Sequence, residues 1–209
     1  MPDLVFDVVG ARPDRFGAAP TMLFTLRIAE TSGDPIHTMV LRTQVQIDAQ
    51  LRQYDAAEQA RLGELFGERD RWGDTLRPFT WTHGTTMVPG FRGSTEVDVA
   101  VPCTYDFDVA AAKYMNGLSD GVIPLSFLFS GTVIARGATG YAVSQVPWHK
   151  ESTYPLPVAV WRELMETYFP GTAWIRVHRD TFDRLAARRT EGGYATWDAM
   201  FDALIGASS

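Results

Sequence analysis

Residues 121–148, GVIPLSFLFSGTVIARGATGYAVSQVPW, read as the clearest β-hairpin in the chain. A long apolar arm is followed by a tight turn at RGATG, and a second arm returns from Tyr141. The first arm is apolar on both faces, which places it at the centre of a sheet.

The strands expected around this hairpin show one buried face and one wet face. Met22, Phe24, Leu26 and Ile28 share a face of TMLFTLRIAE, and Met39, Leu41, Val45 and Ile47 oppose Arg42, Gln44, Gln46 and Asp48 in the next strand, with SGDP turning between them. Leu4, Phe6 and Val8 begin the set. TWTHGTTMV and STEVDVAVPC extend it, the latter with Val97, Val99 and Val101 opposite Glu96 and Asp98 and an end at Pro102. Such alternation belongs to antiparallel sheets.

Helical signals are local and separate. DAAEQARLGELFG carries an N-cap at Asp55, its capping-box partner Glu58, an apolar stripe of Leu62, Leu65 and Phe66, and a stop at Gly67. A short helix is expected from Val109 to about Asn116, capped by Asp106 or Asp108. From Pro157 the period changes to 3.6, with Val158, Trp161, Met165 and Tyr168 on one side, and after an extended AWIRV two more helices begin at the caps Asp180 and Thr196. The fold class is therefore α+β: an antiparallel or sandwich-like β core with one or two inserted helices and a helical C-terminal region. One domain is expected over 1–209, strand-rich over 1–148 and helix-rich over 157–205.

Composition narrows the function. The chain has 209 residues, 45% hydrophobic and 21% charged, the balance of a folded soluble protein. Its net charge of −6 disfavours nucleic acid, and the cluster Arg184, Arg188 and Arg189 reads as a solvated helix face. No run reaches the ~20 apolar residues that span a bilayer, and the N-terminus lacks a leader pattern, so a cytoplasmic protein without membrane insertion is expected. A single cysteine, Cys103, leaves no intrachain disulfide and no thiolate cage.

No spacing amounts to a catalytic signature. Cys103 follows an alternating strand and reads as a small buried hydrophobe, although His83 and Asp106 are the residues that would make it a hydrolase-type nucleophile if they converged on it. Asp106 and Asp108 read as helix caps. His37, His83, His149 and His178 show no metal-binding spacing, and no metal or cofactor is expected. GATG at 137–140 joins two strands rather than opening a helix, and Ser130 lacks the glycine of a nucleophile elbow. Long loops carry function more often than regular elements, and the Glu68–Gly93 segment holds Arg71, Trp72, Arg77, Trp81 and His83, residue types that anchor interfaces. These five are the candidate partner-binding residues.

RWGDTLRPFTWTH, VPGFRGSTEVDVAVPCTYDFDVAAAKY, IPLSFLFSGTV and LPVAVWRELMETYFPG together resemble an uncharacterised bacterial domain-of-unknown-function family over nearly the whole chain. The resemblance implies a gene neighbourhood of nickel-iron uptake hydrogenases, and hence an accessory module that binds hydrogenase subunits or helps assemble them. One cysteine fits such a part better than a cluster-bearing subunit. A small-molecule binder, with a pocket between sheet and helices, and an enzyme using Cys103, His83 and Asp106 are the alternatives.

Overall fold

The computed structural model describes residues 2–104, 106, 109–137, 140–172 and 174–207. The polypeptide runs β1 (Leu4–Pro13), β2 (Thr21–Glu30), β3 (Ile36–Ile47), α1 (Ala56–Phe66), α2 (Trp72–Thr75), β4 (Phe79–Val88), β5 (Ser94–Pro102), α3 (Ala110–Gly117), β6 (Val122–Gly137), β7 (Gly140–Gln145), β8 (Glu151–Pro157), α4 (Val158–Tyr168), α5 (Arg179–Glu191) and α6 (Trp197–Gly206). It clusters into two compact units that meet in sequence between Trp174 and Ile175.

The first unit is a sandwich of two antiparallel sheets with helices on its core. The smaller sheet has the order β1-β2-β5; the larger has β4-β3-β6-β7, with β8 also paired to β6. Their apolar faces meet in aromatic contacts: Phe6 stacks on Phe129 at 4.7 Å, and Phe24 meets Phe127 at 5.0 Å and Trp81 at 6.0 Å. Period-two alternation supplies these faces, because Met22, Phe24, Leu26 and Ile28 of β2 and Met39, Leu41, Val45 and Ile47 of β3 are all buried. As the doubly apolar first arm implies, β6 is the most-paired strand, bonded to β3, β7 and β8.

The three longer helices of this unit complete the core with Leu62, Phe66, Tyr114, Trp161 and Leu164. The capping box at α1 forms as expected, Asp55 Oδ1 accepting from the Glu58 amide at 2.7 Å while Glu58 Oε2 accepts from the Asp55 amide at 3.2 Å. Glu58 has a second role. It pairs with Arg52, whose guanidinium also donates to the carbonyls of Val122 (2.7 Å) and Asp120 (2.6 Å), so one buried ion pair ties α1 to the approach to β6.

Several sequence expectations need correction. Strand structure continues past residue 148, because Glu151–Pro157 forms β8; Pro155 and Pro157 argue against a ladder, but among the described residues β8 forms a ladder with β6 only and tolerates them as an edge. The N-cap of α3 is Val109, with no side-chain cap bond, while Asp106 supplies a backbone carbonyl to the Val109 amide at 3.0 Å; Asp108 lies outside the described residues. The N-cap of α5 is His178, not Asp180, which falls in the first turn. Residues 174–177 form no strand. Asp48 is buried, not on the wet face, and accepts from Ser126 Oγ at 2.6 Å.

The second unit is a pair of helices. Trp197 lies against Phe182 (5.5 Å) and Phe201 (6.1 Å), and Met200 is buried. Thr196 caps α6 as expected, accepting from the Ala199 amide at 3.1 Å. Of the basic cluster, Arg184 and Arg188 are exposed, while Arg189 covers the Trp197 ring at 4.5 Å in a cation–π contact.

Candidate functional site

The outer faces of the two sheets differ in how their charges are balanced. On the smaller sheet Arg12 grips Asp98 with both guanidinium nitrogens (2.6 and 3.0 Å) and Arg27 pairs with Glu96 (2.9 Å), so each cation is answered across the strands. Such exposed pairs contribute at most ~1 kcal/mol each, but they leave the face electrically quiet. On the larger sheet, no hydrogen bond or ion pair engages the Arg42 guanidinium among the described residues.

Register builds a groove around that arginine. Arg42 of β3 lies between Thr85 of β4 and Ser130 of β6, and the next outward row sets Gln44 between His83 and Leu128. The loop from β7 to β8 crosses at this level, pinned by the Val146 amide on the Gly131 carbonyl (2.9 Å) and the Phe129 amide on the Lys150 carbonyl (3.0 Å). Its tip carries Trp148, 90% exposed, as one wall. The groove has a volume of about 430 Å³ and presents a guanidinium, an imidazole, an amide, two hydroxyls and an indole. Those groups hydrogen-bond and stack. They can hold a partner group, and Arg42 with His83 biases the choice toward an acidic one.

His83 reaches this face because of a β-bulge. Val45 pairs with Thr82 and Gln46 with Thr80, leaving Trp81 as the extra residue. Trp81 packs inward against Phe24 and, at 6.4 Å, against Trp161, while His83 stands exposed on the outer face. Of the five residues read as partner-binding, only His83 lines the groove. Trp72 is packed on the core, its Nε1 donating to the Gly67 carbonyl at 2.9 Å and its ring meeting Tyr54 at 5.4 Å. Arg71 and Arg77 are exposed, Arg77 Nε donating to the Asp74 carbonyl at 3.1 Å. Arg42, Gln44 and Trp148 are not singled out by sequence, since each is ordinary on a wet strand face or a loop.

Cys103 and His83 do not share a site. Cys103 packs on the core, its thiol donating to the Val101 carbonyl at 3.4 Å, and burial pushes its pKa up to about 12, so it stays protonated at neutral pH. Asp106 is half-buried, and its amide donates to Thr104 Oγ1 at 3.1 Å. The other histidines serve local contacts: His37 lies 4.6 Å from the Tyr141 ring, His149 lies 5.9 Å from Trp148, and His178 begins α5. Among the described residues no group of three or more His, Cys, Asp or Glu is placed to hold a metal ion, and no helix is long and apolar enough to cross a membrane.

A second cavity, of about 750 Å³, lies along α3 and α4 and includes Asn116, Arg162, Glu163 and Glu166. Asn116 Oδ1 accepts from Trp161 Nε1 at 3.3 Å, whereas its Nδ2 is buried without a partner among the described residues.

The model of a family of unknown function, DUF6084, matches residues 1–209. No curated protein matches the chain. Among solved structures, a CARDB domain from Pyrococcus furiosus, in complex with di-metal ions, is similar at a TM-score of 0.29 and 10% identity, covering 75% of this chain and 87% of that one. Beta-glucosidase 3B from Thermotoga neapolitana, in complex with alpha-D-glucose, is similar at a TM-score of 0.28 and 12% identity, covering 74% of this chain and 17% of that one.

Proposed function

We infer, from the premise that this chain belongs to DUF6084, a family of unknown function, that it is a non-enzymatic binding module whose docking surface is the outer face of the larger sheet. One observation carries the reading: the smaller sheet neutralises its outer arginines, while the larger one leaves Arg42 without a partner among the described residues, beside His83 and an almost fully exposed Trp148. Arg and Trp are the side chains that dominate interface energetics, and burying an indole against a partner recovers apolar area now facing water. The accessory role beside a nickel-iron hydrogenase, implied by the resemblance of the sequence, is the finer form of this proposal, with an acidic surface of a hydrogenase subunit as the partner.

The test is affinity purification from the native host of the wild-type chain and of the variant Arg42→Ala, His83→Ala, Trp148→Ala. All three are surface positions, so the circular dichroism spectrum is expected to stay unchanged. Loss of a true anchor removes about 2 kcal/mol or more of binding free energy, roughly thirtyfold in affinity, and depletes the specific partner accordingly. Hydrogenase subunits among the depleted proteins support the accessory role. Undiminished recovery of every partner by the folded variant refutes this docking surface.

A small-molecule reading rests on the groove itself, whose volume of about 430 Å³ lies in the range of ligand sites. It predicts a compound released on denaturing protein purified from the host, detectable by mass spectrometry and absent from the triple variant.

A further inference from the structure

The open edges of the two sheets are unequally protected. An edge strand presents unpaired amides and carbonyls, and folded proteins blunt it with charge, proline or a bulge. β1 has a register shift between Val8 and Gly10, and β4 has the bulge at Trp81. β5 carries Glu96, Asp98 and Pro102, and β8 carries Glu151, Pro155 and Pro157. β7, GYAVSQ, has none of these: no charge, no proline, and an unbroken register with β6 from Gly137↔Gly140 to Thr132↔Gln145. Among the described residues it pairs with β6 alone. Its two large side chains are in water, Tyr141 62% and Val143 67% exposed.

We propose that β7 is a self-association edge, pairing antiparallel with β7 of a second copy across a two-fold axis to give one continuous sheet. A two-fold normal to the sheet keeps inner faces inner and outer faces outer only if paired residue numbers have an even sum. With Val143 opposite its own symmetry mate, the outward row reads Ile134–Val143–Val143–Ile134, an apolar strip across the junction, and Tyr141 meets Gln145 of the second copy. No charged residue faces another. That matters for a chain of net charge −6, whose copies repel elsewhere and approach most easily where neither carries charge. A second copy is the occupant that supplies an identical uncharged edge and an identical apolar row. The contact is small beside the ~1,600 Å² of a standard interface, so the dimer is concentration-dependent.

Sedimentation velocity on the full chain from about 1 to about 200 µM tests this, because mass action shifts a weak dimer across that range. The expected result is a monomer–dimer shift that Val143→Lys abolishes, while Val5→Lys, an exposed site on the other sheet, leaves it intact. Oxidising Val143→Cys is expected to yield a disulfide-linked dimer, whereas Tyr141→Cys, which faces Gln145, does not. A wild-type chain monomeric throughout overturns the proposal, as does dimerisation unaffected by Val143→Lys or a failure of the position-143 thiols to cross-link. A strand donated by a different protein then becomes the occupant to seek.

Discussion

Glu30 shows what a single side chain does at the turn between β2 and β3. It is buried, and it accepts hydrogen bonds from the amides of Asp3 (3.1 Å), Ser32 (3.0 Å) and Gly33 (2.7 Å) and from Ser32 Oγ. Burial acts to raise its pKa, but the bonds from Ser32, Asp3 and Gly33 prevail and hold it below the usual carboxylate range. Asp3, bonded by Thr31 and Lys150, is also held low. A depressed carboxylate contributes stability that is full above its unfolded pKa, 4.5 for glutamate and 3.8 for aspartate. That contribution is lost as pH falls through the lower folded value. Stability is therefore expected to fall as pH drops below about 4.5, and Glu30→Gln to flatten that fall while costing about 1 kcal/mol or more at pH 7 by leaving donors unpaired. Urea unfolding of both proteins across pH 3 to 7 provides the check, taking the ordinary carboxylate range as the window. An unchanged pH slope in the variant counts against the assignment.

At the scale of elements, the joint between β3 and β6 depends on one glycine. Gly131 has φ +144°, and a Cβ built on it falls 2.1 Å from the Val40 carbonyl oxygen, a backbone atom held in the ladder. No rotamer relieves such a clash. Gly131→Ala is expected to cost about 3 kcal/mol or more, read as a lowered urea midpoint with unchanged m-value; a cost below about 1 kcal/mol would show that the central pair yields more easily than close packing allows. Elements also show where sequence reading reaches. The capping box of α1 and the alternation of β2, β3 and β5 are local patterns and appear where expected. β8 and the bulge at Trp81 are not local: the first exists because β6 is long enough to take a further partner, the second because a tryptophan finds room in the core.

For the whole molecule, the question is how the two compact units share stability. Every residue of the main hydrophobic cluster, and every side chain packed on it, lies at or before Phe169. The chain ending at Trp174 is accordingly expected to fold, with a far-UV spectrum reduced only by the signal of α5 and α6 and with one cooperative thermal transition. Loss of that transition would show that the helices from Ile175 onward complete the same core, as a single domain over 1–209 requires.

The sequence by itself determined the α+β class, the inward rows of β2, of β3 up to Ile47 and of β5, and the caps of α1 and α6, because alternation, capping and turn chemistry act between residues a few positions apart. It placed His83 among the candidate residues but not Arg42, Gln44 or Trp148, and it did not set Cys103 apart from His83. Those facts belong to tertiary structure. Which wet face keeps a cation unpaired among the described residues, which edge is left bare and which thiol packs on the core depend on partners that can lie more than a hundred residues away, as with the Val8 amide and Ser152 Oγ, 144 positions apart. A side chain carries no local sign of whether the strand beside it will bring a carboxylate, a second edge or only water.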